Sequence, residues 1–254
     1  MRVAVISDIH GNCLALEAVL ADLDLVPVER VLCLGDAVQG GAQPAEVVAR
    51  LRELACPVVM GNADAWLLTG EETGAEASPS SWMLAVRQWS LSRLSAEDRA
   101  FIAGFRPTVE VALPAGRTLR CCHGSPRSFD DVILPETPAE VVEELLGAFV
   151  PAILCGGHTH LQQIRQLGAT FFFNPGSVGL PFRRDQPDDR PRVNPWAEYA
   201  VLTVEDDGWT GLEFRRVPYD VVRLIELIRA GGMPEPEHLV ARYRPADAPE
   251  APGS

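Results

Sequence analysis

The chain contains no lysine. All 22 of its cationic side chains are arginines, set against 35 carboxylates, and the formal net charge is −13. The missing lysine reflects a compositional bias toward arginine rather than chemistry. The missing positive charge is more informative, because nucleic acid polymers and anionic membranes are bound by basic surfaces. It does not exclude a small phosphorylated partner, since bound cations reverse the field locally. No CxxC pair occurs among the six cysteines, Cys13, Cys33, Cys56, Cys121, Cys122 and Cys155. Most lie in apolar runs, which points to buried free thiols in a reducing compartment. Long hydrophobic runs are also lacking. The longest, residues 145–157, contains Pro151 and is too short to cross a bilayer. Asp8 and His10 sit where a signal peptide would need apolar residues. A soluble, cytoplasmic protein is the expectation, and the sequence leaves homo-oligomerisation open.

What the chain does have is ordinary globular composition, 47% apolar and 22% charged over 254 residues, which suffices for one large core. The expected organisation is a single domain over residues 1–240. A tail over 241–254, Pro/Ala-rich from Pro245 onward, is expected to be disordered.

Five short motifs each place metal-binding residue types after an apolar, strand-like run. They are Asp8-Ile9-His10, Gly35-Asp36, Gly61-Asn62-Ala63-Asp64, His123-Gly124 and Gly157-His158-Thr159-His160. The lead-in runs are residues 3–6, 31–34, 58–60, 119–122 and 152–155. Ligands gather at the carboxyl ends of strands in open α/β sheets, so five such ends predict one site assembled from the whole chain. Asp8, His10, Asp36, Asn62, His123, His158 and His160 are more donors than one ion can use. A two-metal hydrolytic centre follows, with Asp36 as the natural bridge. The mixed Asp/His set suits manganese best, with iron, zinc, cobalt or nickel as alternatives. Taken singly most of the motifs are weak: Asn62, for instance, could as well cap a helix. Gly157-His158-Thr159-His160 is stronger, because two histidines at spacing two after a buried strand and glycines rarely serve packing. The chain has only five histidines, however, and four fall in these motifs. The fifth, His238, reads as a surface residue.

The periodicities predict a strand over 1–6, a helix after Asn12, a strand over 31–34, a helix over Pro44–Leu54 and a strand over 58–60. This βαβαβ opening implies parallel pairing. Residues 70–80 read as a loop. Residues 81–104 read as two helices parted at Ser95, where Asp98 completes a capping box. Hairpins are expected across 114–116, Gly168 and Asp207-Gly208. Further helices are expected over 138–149 and 220–229, with a buried strand over 152–155 directly after the first.

The ordered combination of motifs resembles the calcineurin-like metallophosphoesterase superfamily. Asp8-Ile9-His10-Gly11-Asn12, His123-Gly124-Ser125-Pro126-Arg127 and Asn174-Pro175-Gly176-Ser177-Val178-Gly179 are similar to its bacterial and archaeal branch of small phosphodiesterases and diadenosine-tetraphosphatase-related proteins. The resemblance covers about residues 1–222. It implies a four-layer αββα sandwich, two mixed sheets packed face to face with helices outside. Carried over residue by residue, it implies one metal held by Asp8, His10, Asp36 and His160 and another by Asp36, Asn62, His123 and His158. The implied activity is hydrolysis of a phosphodiester or nucleotide polyphosphate by a metal-bridging hydroxide, with Asp8, His10, Asp36, Asn62 and His123 as catalytic residues. A phosphoprotein phosphatase, or a non-catalytic binding module on the same fold, are the alternatives.

The family often has a histidine that protonates the leaving group where this chain has Ala63. Without that acid, substrates whose leaving groups depart as stable anions are favoured. Substrate contacts are expected from Asn62, Arg127, Gly176 and Ser177. Arg127 could clamp a phosphate or pair with a surface acid. The 174–179 segment could offer backbone N–H groups to a phosphate or be a plain turn. The Arg-rich segment 182–195, with Arg183 and Arg184, reads either as a solvated loop or as a grip on a polyphosphate chain.

Overall fold

The computed structural model describes residues 1–72, 74–147, 153–168, 170–182 and 192–243. Two mixed sheets form its centre. The first contains β1 (Arg2–Ile6), β2 (Arg30–Cys33), β8 (Trp196–Val204) and β9 (Thr210–Pro218), in the order β2-β1-β8-β9. The second contains β3 (Val109–Ala112), β4 (Thr118–Cys121), β5 (Ile153–Cys155), β6 (Gln163–Leu167) and β7 (Thr170–Asn174), in the order β3-β4-β5-β7-β6. β1 pairs parallel with β2, and β4 with β5.

Strand periodicity explains how the sheets stack. Val3 and Val5 of β1 point into a core shared with Leu119 and Cys121 of β4 and Ile153 and Cys155 of β5. Ala4 and Ile6, one residue out of phase, meet the helices on the other side. Those helices include α1 (Cys13–Leu23), α2 (Pro44–Leu54) and α5 (Ala96–Ala103). On the far face of the second sheet, Leu154 and Phe172 pack on Val142 and Leu146 of α6 (Ala139–Leu146). A fourth apolar cluster joins α4 (Ser81–Arg93), α7 (Val221–Ala230) and α8 (Pro236–Tyr243) through Val86, Leu224, Ile228, Leu239 and Val240. This is the expected αββα arrangement.

The local signals hold where their chemistry is specific. The Asn12 side chain accepts from Ala15 N to cap α1, and Ser95 with Asp98 forms a full capping box on α5. The expected strand over 58–60 is reduced to isolated parallel bridges, Cys33 to Val58 and Val59 to Arg106. Pro57 lacks an N–H, and Gly61 turns the chain at once into α3 (Asn62–Thr69), so no ladder can extend. The loop over 70–80 contains one 3-10 turn, Gly74–Glu76. Helix α8 was not expected, and it carries residues 241–243 that the sequence assigns to the tail. The rest of that tail, from 244, lies outside the described residues, as do Arg183 and Arg184. No helix among the described residues is long and apolar enough to cross a membrane.

One polar cluster ties the first sheet to α1. The fully buried Tyr199 donates its hydroxyl to Asp22 (2.6 Å), and Arg215 grips the same carboxylate at 2.7 and 3.0 Å. Hydrogen bonds from Arg215 hold the Asp22 carboxyl below its ordinary value. Asp22→Ala is expected to lose about 1–3 kcal/mol, because it strands the buried Tyr199 hydroxyl and removes two hydrogen bonds from Arg215, which keeps Glu213. A depressed carboxyl stabilises the fold above its unfolded value and loses that contribution as pH falls through the folded one. Denaturant midpoints of wild type and variant should therefore differ at pH 7 and converge below about pH 4.

Candidate metal centre

All seven ligand-type residues come together where the carboxyl ends of β1, β2, β4 and β5 meet. Asp8 and His10 follow β1, Asp36 follows β2, His123 follows β4, and His158 and His160 follow β5. Asn62 opens α3 but does not cap it; Gly61 is the cap residue and offers no side chain. Two groups of donor atoms each converge within 4.8 Å, Asp8 with His10 and His160, and Asp36 with His123 and His158.

The backbone is bent to achieve this. Asp8, His10, Asp36, His158 and His160 all have φ between 47° and 67°. Such conformations cost non-glycine residues about 1–3 kcal/mol each and persist only where the surroundings over-determine them. Here the loops are stitched together. Asp8 N donates to Gly35 O, His10 N to Asp36 O, and Gly157 N to His123 O, all at 2.8–2.9 Å. Two glycines let the loops close. A Cβ on Gly61 would lie 2.1 Å from Asp36 Oδ1, and one on Gly157 would lie 2.1 Å from Ser7 Oγ.

Proton positions follow from the acceptors. His10, His123 and His160 set Nδ1 against the carbonyls of Gln39, Leu34 and Leu180, at 2.7–2.8 Å. A carbonyl only accepts, so each Nδ1 carries the proton and each Nε2 turns inward. The Nε2 atoms of His10 and His160 then face each other at 3.1 Å, an arrangement that a shared cation satisfies. Asp8 Oδ1 is buried without a hydrogen-bond partner, 3.3 Å from His160 Nε2. Asp36 Oδ1 is taken by Ala63 N (2.8 Å), which leaves Oδ2 facing His123 Nε2 at 3.3 Å and His10 Nε2 at 3.7 Å. One oxygen thus addresses both groups. An orphaned carboxylate oxygen, inward imidazole nitrogens and a shared Asp36 oxygen fit a pair of divalent cations.

The two buried carboxylates draw positive charge into the centre, and with no cation bound that charge is a proton on His123. Burial opposes charge on His123, but Asp36 and Asp8 outweigh it and push the imidazole up to about 10. Burial also works against the Asp36 carboxylate, and His123 overcomes it, holding that group below its ordinary value. Burial holds His10 and His158 down, so both favour the neutral form that binds metal.

Sequence reasoning missed Glu76. Its buried carboxylate accepts from Asn62 Nδ2 at 3.0 and 3.1 Å, which turns Asn62 Oδ1 toward His123 Nε2 (3.0 Å). Asp64 is also buried; it accepts from Ala37 and Val38 N–H and fixes the loop after Asp36. Three expected substrate residues have other partners. Arg127 pairs with Asp131 (3.2 Å) and lies toward Glu144. Ser177 Oγ donates to Asp8 O and accepts from Leu180 N, both at 2.7 Å. Gly176 N donates to Asn174 Oδ1, while Val178 and Gly179 N–H reach the Ser7 and Asp8 carbonyls. The 174–179 loop is therefore a buttress under Asp8. The N–H groups of Gly176, Val178 and Gly179 and the Ser177 hydroxyl bond to protein, and none of Arg127, Gly176 and Ser177 lines the cavity of about 240 Å³ beside the centre.

A two-sheet α/β sandwich with paired Asp/His clusters at its strand ends defines a metal-dependent phosphoesterase fold. The family model of the calcineurin-like phosphoesterase superfamily domain matches residues 1–207, and the chain belongs to that superfamily. It is 28% identical to an uncharacterized protein of Methanocaldococcus jannaschii, over 92% of this chain and 94% of that one. Among solved structures it is similar to a metallophosphoesterase from Sphaerobacter thermophilus, with 28% identity, TM-score 0.69, and 95% and 99% of the two chains covered. A hypothetical protein from Pyrococcus horikoshii shares the fold, with TM-score 0.78 at 21% identity, covering 97% and 99%. The phosphoesterase YfcE of E. coli matches with TM-score 0.50 and 25% identity, covering 87% of this chain and 100% of that one.

Proposed function

We propose that the chain is a dinuclear metal-dependent hydrolase of small phosphodiesters or nucleotide polyphosphates, with manganese as its preferred metal. The observation that carries this reading is the single Asp36 oxygen facing both donor groups. Two divalent ions, when bound, supply the Lewis acidity that draws charge from a phosphoryl group and acidifies water. Asp8, His10 and His160 would hold one ion, and Asn62, His123 and His158 the other, with Asp36 common to both. The protein's own work is to fix these atoms before substrate arrives. Carbonyl-anchored imidazoles and the Glu76-oriented amide do so without mobile parts.

The retention of every ligand-type residue favours an enzyme over a binding module. A concave cavity of limited size favours a small phosphorylated substrate over a phosphoprotein. The acidic charge balance argues against nucleic acid polymers and membranes as partners. A cytoplasmic setting fits the unpaired thiols of Cys121 and Cys155, whose sulfurs lie 3.2 Å apart. The direct test is metal analysis of purified protein followed by assay on bis(4-nitrophenyl) phosphate. About two equivalents of metal and turnover abolished by chelator are expected; metal-loaded protein without turnover would sink the reading.

Glu76 supplies a finer prediction. Partners that orient metal ligands are worth roughly 10–100-fold in metal affinity or activity. Glu76→Ala should lose that much, whereas Glu76→Gln, whose amide oxygen still accepts from Asn62, should retain most of it. Metal titration and kcat together read this out, and equal loss in both variants would remove Glu76 from that role.

A further inference from the structure

Beside the ligand-type residues, the cavity is lined by side chains that no metal-binding motif in the chain announces. Trp66 comes from α3, Trp82 and Met83 from α4, and Phe182 lies flat on His160 at 4.6 Å between ring centroids. The last contribution is Arg242, from the final turn of α8. Histidines aside, it is the one cationic side chain among the described residues lining this cavity. Helix α8 lies beyond residues 1–207, the span matched by the family model.

Arg242 is held there by its neighbours. Leu239 and Val240 anchor α8 in the cluster with α4 and α7. Val193 N donates to the Arg242 carbonyl (3.0 Å). Tyr243 donates its hydroxyl to Gly179 O (3.0 Å), tying α8 to the same loop that buttresses Asp8. The guanidinium stands over the Trp82 ring at 5.8 Å. Among the described residues no carboxylate pairs with it. Burial holds it below the ordinary arginine value, the direction expected of a guanidinium withdrawn from water without an anion beside it. The chain is strongly acidic, yet among the described residues this cation has no carboxylate partner, and histidines aside the other charged side chains lining the cavity are Asp36 and Glu76.

We propose that Arg242 is a specificity-determining residue that binds a second phosphate of the substrate, next to the one presented to the metal centre. A guanidinium fork fits phosphate oxygens, and the aromatic wall suits a planar group attached beyond them. The substrate class is then a nucleotide with more than one phosphate rather than a simple diester. This rests on the phosphoesterase reading above and deepens it.

The test compares Arg242→Met, which keeps the stem against Trp82 and removes the charge, with Arg242→Lys, which keeps the charge and removes the fork. Each is assayed metal-loaded on a nucleoside triphosphate and on bis(4-nitrophenyl) phosphate, which has one anionic phosphoryl group. The ratio of kcat/KM for the triphosphate to that for the aryl diester should fall roughly 10- to 100-fold in Arg242→Met, chiefly through KM, and less in Arg242→Lys. An unchanged ratio, whether through equal loss on both substrates or through none, overturns the proposal. Calorimetric binding of ADP provides a readout that does not need turnover. If wild type hydrolyses neither substrate, the phosphoesterase reading fails by itself. Equal ADP affinity in wild type and Arg242→Met still overturns the role of Arg242, and weaker binding in the variant supports it.

Discussion

Asp36→Asn is expected to reduce hydrolysis of an aryl phosphodiester by more than about 100-fold and to release at least one metal ion. The lower bound comes from outer partners of metal ligands, whose loss costs roughly 10–100-fold; a residue placed to touch both ions must cost more. The geometry gives the reason. Asp36 Oδ1 is fixed by Ala63 N, and Oδ2 alone faces His10 and His123. Asparagine can keep one of those positions as an acceptor, but it lacks the charge that two cations share. The substitution also removes the carboxylate that raises His123, so in the metal-free protein that imidazole should titrate lower than about 10. Metal binding to the folded state raises the unfolding temperature, so added manganese should stabilise wild type more than the variant. Full activity with unchanged metal content in Asp36→Asn would remove it from the bridging position.

Six of the seven donor residues are legible in the sequence because each follows a strand, and strand ends collect ligands whatever the rest of the chain does; Asn62 follows only isolated bridges. Apolar runs place residues 3–6 and 119–122 in the core, and the chain must then turn at Asp8 and His123. The same logic predicts the parallel pairing of β1 with β2. What escapes is set by contacts distant in sequence. Nothing distinguishes Glu76 from Glu71 and Glu72 until the turn at Gly74–Glu76 brings it to Asn62. The carbonyls of Leu34, Gln39 and Leu180 fix three imidazoles, and a carbonyl has no signature in a residue string. The 174–179 loop has the composition of an anion-binding turn, yet the N–H groups of Gly176, Val178 and Gly179 are spent on Asn174, Ser7 and Asp8. Arg127 sits beside a motif and pairs with Asp131 four residues on, the surface-acid alternative that the sequence leaves open. Helix α8 has a short apolar face, Leu239 and Val240, and becomes stable through tertiary packing rather than through its own periodicity.

Position 63 should produce the widest spread between substrates. Ala63 is buried, lines the cavity and occupies the second position of α3, where the family often has a histidine that donates a proton. General acid catalysis is worth about 10²–10⁴-fold, and a leaving group denied it must depart as an anion. Wild-type rates on a series of phosphodiesters should therefore rise steeply as leaving-group pKa falls, with alkyl esters slower than aryl esters by more than intrinsic reactivity predicts. Ala63→His keeps the backbone N–H that fixes Asp36 and adds an imidazole beside the cavity, so it should accelerate the alkyl esters more than the aryl ones. Both expectations are checked by chemistry-limited rates plotted against leaving-group pKa for the two proteins. A flat dependence in wild type would mean that an acid is already present. Glu76 would then be the group to examine, since it lines the same cavity and burial raises its carboxyl above the ordinary range. Glu76→Gln separates the two cases: it keeps the hydrogen bond to Asn62 and removes the proton, so it should steepen the dependence only if Glu76 is that acid.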